Sequence, residues 1–207
     1  YISTLISDLK FELNRIEGRK IVSIFFGGGT PSLFLPESID QILNVIQAQL
    51  SIDLDVEITL EANPGAVEAT KFGEYRAIGV NRLSLGIQSF NDQSLTLLGR
   101  IHDVNEAKKA IELSKEAGFE NFNLDLMFGL PNQEVDEALA DLEIAADYLP
   151  THISWYQLTI EPNTIFGSKP PELPSDDVIS SIQKKGQAFL KKNNFEQYEI
   201  SAYAKNN

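Results

Sequence analysis

Two sets of residues in this chain have the types and spacing to do chemistry. The first is Gly27-Gly28-Gly29-Thr30-Pro31, released directly from the apolar run Ile21-Val22-Ser23-Ile24-Phe25-Phe26. Consecutive glycines let a backbone take positive φ and bring its N–H groups against a ligand with no Cβ in the way. Thr30 adds a hydroxyl, and Pro31 suits the first turn of whatever follows. Strand, glycine loop and helix in succession often hold the charged part of a cofactor. The same loop also serves as a tight βα turn with no ligand. It is neither a Walker loop nor a Gly-x-Gly-x-x-Gly fingerprint. The second set is Glu61, Gln88 and Asp125, each on a segment that alternates aliphatic with small or polar residues. A buried carboxylate without a partner is costly. Two of them facing one cavity ask for cationic or hydroxyl-bearing groups there, such as an ammonium or a ribose.

The elements that must position these residues alternate along the chain. Strands are expected at 21–26, 56–61, 82–88, 121–128 and 152–159, and helices at 36–50, 66–78, 92–98, 104–117 and 135–148. Residues 1–17 read as an amphipathic helix. Gly79 and Gly118 fit helix C-caps, and Pro150 fits a stop. Single helices between strands imply right-handed βα units and a parallel sheet. A rigid loop carrying Pro170-Pro171 and Pro174 then leads to a helix at 176–192 and a last strand at 197–202. The expected division is a barrel over 1–170 and the start of a C-terminal extension over 171–207.

Alternation within the strands carries the functional reading. Glu57, Thr59 and Glu61 oppose Val56, Ile58 and Leu60; Ser84, Gly86 and Gln88 oppose Leu83, Leu85 and Ile87; Asn121, Asn123 and Asp125 oppose Phe122, Leu124 and Leu126. Strands buried on both faces should be nearly all aliphatic, and a closed eight-stranded barrel should be filled with branched side chains. One aliphatic and one polar face therefore imply a curled sheet with helices outside and a polar ligand within. Ligands of parallel α/β folds bind at the carboxyl ends of strands. The exits Glu61-Ala62-Asn63-Pro64-Gly65, Gln88-Ser89-Phe90-Asn91, Gly129-Leu130-Pro131 and Thr159-Ile160-Glu161-Pro162-Asn163 all lie there. Taken singly, Asn63-Pro64-Gly65 and Leu130-Pro131-Asn132 read as turns.

Composition removes several classes. The 207 residues are 43% hydrophobic and 23% charged, as expected of one globular domain. A formal charge of -13 leaves no basic stripe for nucleic acid. No apolar run reaches membrane-spanning length, and a cytoplasmic location is expected. The chain has no cysteine, hence no disulfide, thiolate metal site or thiol nucleophile of its own.

The chain resembles radical S-adenosylmethionine (SAM) proteins of the oxygen-independent coproporphyrinogen III oxidase group. Four of the segments that carry the resemblance are Phe26-Gly27-Gly28-Gly29-Thr30-Pro31-Ser32-Leu33, Glu61-Ala62-Asn63-Pro64-Gly65, Gly79-Val80-Asn81-Arg82-Leu83-Ser84-Leu85-Gly86-Ile87-Gln88-Ser89-Phe90 and Leu98-Gly99-Arg100-Ile101-His102. Two more are Asn123-Leu124-Asp125-Leu126-Met127-Phe128-Gly129-Leu130-Pro131 and Ser154-Trp155-Tyr156-Gln157-Leu158-Thr159-Ile160-Glu161-Pro162-Asn163-Thr164. With residues 198–205, the likeness covers nearly the whole chain. The Trp155–Thr164 and Glu61–Gly65 runs lean towards the haem-chaperone branch of the group.

The resemblance implies an α/β fold, a partial open (β/α)6 barrel. It implies that Gly28, Gly29 and Thr30 contact SAM through the glycine loop, that Glu61, Gln88, Arg100 and Asp125 hold its amino-acid and nucleoside parts, and that Thr159 lines the same mouth. Arg100 also reads as a helix C-terminal cation, His102 as a loop histidine, His152 as structural, and Trp155 and Tyr156 as core or wall. Family members carry a Cys-x-x-x-Cys-x-x-Cys loop that holds a [4Fe–4S] cluster, the electron source for cleaving SAM into methionine and a deoxyadenosyl radical. The chain is thus expected to be the body of such a barrel, without its first strand, cluster loop and C-terminal domain, inactive alone and marginally soluble. Its expected function is that of a haem chaperone whose parent binds SAM, cluster and haem and delivers haem to respiratory proteins. The alternatives are radical decarboxylation of coproporphyrinogen III and a cluster-free piece without activity.

Overall fold

The computed structural model describes residues 1–16, 18–65 and 69–205. Five parallel strands form its centre: β1 (Lys20–Phe26), β2 (Ser51–Ala62), β3 (Arg82–Gln88), β4 (Asn121–Phe128) and β5 (His152–Gln157). Two further strands, β6 (Phe195–Glu199) and β7 (Ala202–Lys205), complete a seven-stranded sheet of order β1-β2-β3-β4-β5-β7-β6. Its helices are α1 (Ile2–Glu12), α2 (Pro36–Gln49), α3 (Phe72–Ala77), α4 (Asp92–Leu97), α5 (Val104–Glu116), α6 (Val135–Asp147), α7 (Ile165–Ser168) and α8 (Asp176–Lys192). The expected helix over 66–78 is seen as α3, and residues 66–68 lie outside the described residues, as does Glu17 at the end of the expected first helix.

The aliphatic strand face lies under the helices. Ile58, Leu60, Leu83, Leu85, Ile87, Leu124 and Leu126 share one core with Ile39 and Leu43 of α2, Ala107 and Ile111 of α5, Leu142 of α6, and Ile182 and Leu190 of α8. Local signals fix the helix starts. Asp103 and Glu106 form a reciprocal capping box at α5, as Glu134 and Glu137 do at α6. Asn91 caps α4 by accepting from the N–H groups of Gln93 and Ser94.

Three boundaries differ from the sequence reading. β2 begins at Ser51 rather than at residue 56, because Lys20 and Ile21 pair with Ser51 and Ile52 before the register slips. A Lys20–Asp53 ion pair of 2.8 Å marks this extension, and Leu54 is 98% exposed, so no apolar alternation announces it. β5 ends at Gln157, and Thr159 lies beyond it. The expected strand at 197–202 straddles a turn: β6 and β7 form an antiparallel hairpin through Ile200 and Ser201, and β7 pairs antiparallel with β5. No Asn-Gly or Asp-Gly pair marks that turn in the sequence. α8, β6 and β7 therefore join the same sheet and core as the strands before them.

Candidate functional site

At the carboxyl ends of β2–β5 lies a hollow of about 270 Å³, lined by residues that include Thr30, Glu61, Gln88, Arg100, Asp125 and Tyr156. In a flat sheet the loop after β1 and the end of β5 would stand roughly 19 Å apart, at about 4.8 Å per strand. Gly29 and Tyr156 line one small hollow, so the sheet is curled, with its polar face inside.

The glycine loop leaves β1 with Gly28 at φ 81° and Gly29 at φ 60°, the left-handed region that side chains resist. Gly28 N–H donates to Oε2 of Glu61 at 3.0 Å, and Asn63 donates to the Thr30 hydroxyl at 3.4 Å. Pro31 opens a one-turn 3-10 helix over Pro31–Leu33. The buried Tyr75 of α3 fixes that turn by donating its hydroxyl to the carbonyls of Ser32 (3.0 Å) and Phe34 (2.7 Å).

Asp125 sits in a polar ladder on the concave face. It accepts from the Ser84 hydroxyl at 3.0 Å and from Asn123 Nδ2 at 2.9 Å; Asn123 in turn accepts from Ser154 at 3.2 Å. Burial pushes its carboxyl above the ordinary range, and the nearby Glu61 charge adds to the rise. A cationic group in the hollow would offset both effects.

Gln88, the last residue of β3, has φ 70°, and the β3–β4 register slips between Leu85 and Gln88. Ser89 N–H donates to the Ile87 carbonyl at 2.9 Å, closing a three-residue turn on Gln88. Its side chain lies over Gly86, where a Cβ would come 3.2 Å from Gln88 Nε2, and accepts the Tyr156 hydroxyl at 2.9 Å. A non-glycine residue held in such a conformation costs about 1–3 kcal/mol, and the surrounding bonds must offset that cost. On one side His102, 5% exposed, places Nε2 3.1 Å from the Ile87 carbonyl, which requires the tautomer with its proton on Nε2. Burial lowers the His102 pKa, in keeping with a neutral ring. On the other side Asp141, 3% exposed, accepts from the Ser89 hydroxyl and from Phe90 N–H, both at 2.7 Å. Hydrogen bonds to a charged group contribute about 1.5–3 kcal/mol each, enough to hold the turn.

Arg100 reconciles its two readings. Gly99 at φ 71° ends α4, Arg100 N–H donates to the Leu95 carbonyl at 2.9 Å, and the side chain then lines the hollow. Among the described residues no carboxylate lies within ion-pair distance of its guanidinium. Thr159 is exposed, bonds Glu161 at 3.1 Å and is not part of the lining. His152 begins β5, bonds Thr151 and packs edge-on against Tyr198.

The structure thus brings Gly29, Thr30, Glu61, Gln88, Arg100 and Asp125 around one hollow, with Gly28 tied to Glu61. Sequence reasoning took Asn63 for a turn residue and overlooked Asp141. A signal for Asp141 existed: Ala138, Asp141, Leu142 and Ala145 form the buried stripe of α6, and a carboxylate there needs a partner.

A curled parallel half-barrel with a polar mouth defines a class that the sequence comparisons bear out: the chain belongs to the radical SAM superfamily, whose model matches residues 6–145. More particularly, it is 54% identical over 209 residues to the haem chaperone HemW of Haemophilus influenzae and 50% identical over 205 residues to that of Escherichia coli. These alignments cover 99% of this chain but 55% and 54% of those proteins, so the chain spans about half the length of the curated relatives it matches. Coproporphyrinogen III oxidase (HemN) from Escherichia coli superposes with a TM-score of 0.88 at 25% identity, covering 99% of this chain and 48% of that one.

The donor set fits SAM: two carboxylates, a guanidinium and a primary amide around one hollow answer an ammonium, a carboxylate and ribose hydroxyls. It does not fit a [4Fe–4S] cluster. The chain has no cysteine, and the described residues hold no cluster of three metal-ligating side chains. Among the described residues no helix is long and apolar enough to cross a membrane.

Proposed function

We propose that the hollow binds SAM, and that the protein carrying this chain is a haem chaperone that receives haem or a related porphyrin and passes it to haem-dependent respiratory proteins. The gathering of Glu61, Gln88, Arg100 and Asp125 around one cavity carries the first part. Arg100 pairs with the ligand carboxylate, Glu61 and Asp125 accept from its ammonium and ribose hydroxyls, and Gln88 both donates and accepts. Gly28, Gly29 and Thr30 wall the amino-acid end. Bound SAM supplies an activated sulfonium–carbon bond. The chain's own residues orient that group and exclude water on the sheet side.

The high identity to two HemW proteins supports the chaperone reading. The close superposition on HemN favours a second reading, oxidative decarboxylation of coproporphyrinogen III. Calorimetric titration with SAM tests the site: E61Q and R100A should each weaken binding about tenfold, at the cost of one charge-assisted bond. Wild-type affinity in both variants would remove the hollow as the site. Incubating the protein that carries this chain with coproporphyrinogen III, SAM and a reductant separates the two functions. Haem transfer to an apo-acceptor without decarboxylation supports the chaperone, and decarboxylated product supports the oxidase.

A further inference from the structure

The segment from Gln88 to Arg100 supplies two side chains to the hollow, and it leaves and rejoins the fold at buried polar anchors. At its start, Ser89 and Phe90 are both gripped by Asp141, and Asn91 N–H donates back to the Ser89 hydroxyl at 3.1 Å. At its end, His102 meets the carbonyl of Ile87, the residue immediately before Gln88. Asp141 itself belongs to α6 and does not line the hollow. A buried carboxylate is costly to keep in an apolar helix stripe, and core packing gains nothing from it. What it does is hold two consecutive donors of one exit loop.

We infer that Asp141 is a positioning residue for the cofactor site, acting through Ser89 and Phe90 to keep Gln88 in its left-handed turn with the amide turned to Tyr156 and the hollow. This rests on the reading of the hollow as the SAM site. Without the carboxylate, the Ser89 hydroxyl and Phe90 N–H lose their acceptor. The turn then relaxes towards an extended backbone, and the Gln88 amide leaves Tyr156.

A double-mutant cycle tests the claim. SAM affinity is measured by calorimetry for the wild-type chain, Q88A, D141A and the double variant. Each single variant should bind roughly tenfold more weakly, and the double variant no more weakly than Q88A alone, because residues that act through one another are not additive. Additive losses, or a D141A protein of wild-type affinity beside a weakened Q88A, overturn the inference and leave the SAM reading standing. Failure of the wild-type chain to bind SAM ends the SAM reading. The positioning claim is then decided by a second measurement, the side-chain amide signals of Gln88 in 15N-labelled protein. They should shift in D141A and in the isosteric D141N, but not in D147N on the exposed end of the same helix. Signals that stay in place in a folded D141A protein overturn it whatever the binding data show.

Discussion

Tyr156, one residue from the end of β5, donates its hydroxyl to the side-chain carbonyl of Gln88, the last residue of β3, at 2.9 Å. The bond crosses β4, which lies between the two strands, and so ties the concave face together at the mouth of the hollow. Burial, and then the nearby Asp125 charge, raise the Tyr156 pKa, so the phenol stays a donor across the physiological range.

Removing that donor should be felt in two measurements. Y156F leaves Gln88 Oε1 without its partner in a half-dry mouth, a penalty of about 1–3 kcal/mol. Thermal unfolding should show a lower midpoint, and SAM titration a several-fold weaker site. An unchanged affinity would mean that Gln88 holds its orientation without the phenol.

Gly86 lies beneath the Gln88 amide, and an added Cβ would come 3.2 Å from Gln88 Nε2 and 3.6 Å from Asn63 Oδ1. G86A should therefore push the amide aside and lower ligand affinity several-fold. Its stability change should stay near 1 kcal/mol or less, since no backbone atom is closer than 3.8 Å. Calorimetry and denaturant titration on one sample check the two halves.

The pH dependence of stability should carry the signature of Asp141. Burial raises its folded-state pKa from 3.8 to about 6, so the folded chain keeps this proton over a range in which the unfolded chain has lost it. The group favours the folded state below about pH 4, and that contribution is lost as pH rises through about 6, with a ceiling of about 3 kcal/mol. D141N has no such titration. The difference in Tm between wild type and D141N should become less favourable to wild type between pH 4 and pH 7, and a pH-independent difference would contradict it.

Among the described residues β1 pairs only with β2, and its Val22 and Phe25 are 65% and 58% exposed. An open, apolar edge invites strand-to-strand association. V22K should reduce concentration-dependent association in light scattering without altering the melting transition. A monodisperse wild-type chain at high concentration would contradict the expectation.

Much of the architecture was legible because the strands advertise their two faces. Alternation in Val56–Glu61 and Asn121–Phe128 placed the carboxylates inside and the aliphatic residues outside, and the structure puts both where the period of two requires. β2 was harder, since Asp53 and Asp55 flank an exposed Leu54 and the pairing with Lys20 is carried by backbone and one ion pair. The β6–β7 hairpin hid because Ile200 and Ser201 carry no turn chemistry. Within the site, Glu61, Gln88 and Asp125 stood out because a turn does not need them and a strand gains nothing from burying them. Asn63 did not, since Asn-Pro-Gly serves equally as a plain turn. Asp141 escaped because its partners, Ser89 and Phe90, lie about fifty residues away and only the folded chain brings them together.

The single tryptophan of the chain, Trp155, lies on β5 with its ring 4.3 Å from that of Phe128 and directly against Gly186 of α8, where any Cβ would collide with the indole. Its emission is therefore a built-in reporter of whether the C-terminal helix is seated. It is blind to events in the mouth, which it does not line. A G186A protein should show red-shifted fluorescence before any other optical change, and ligand titrations can be followed at other wavelengths while the indole monitors the integrity of the opposite face.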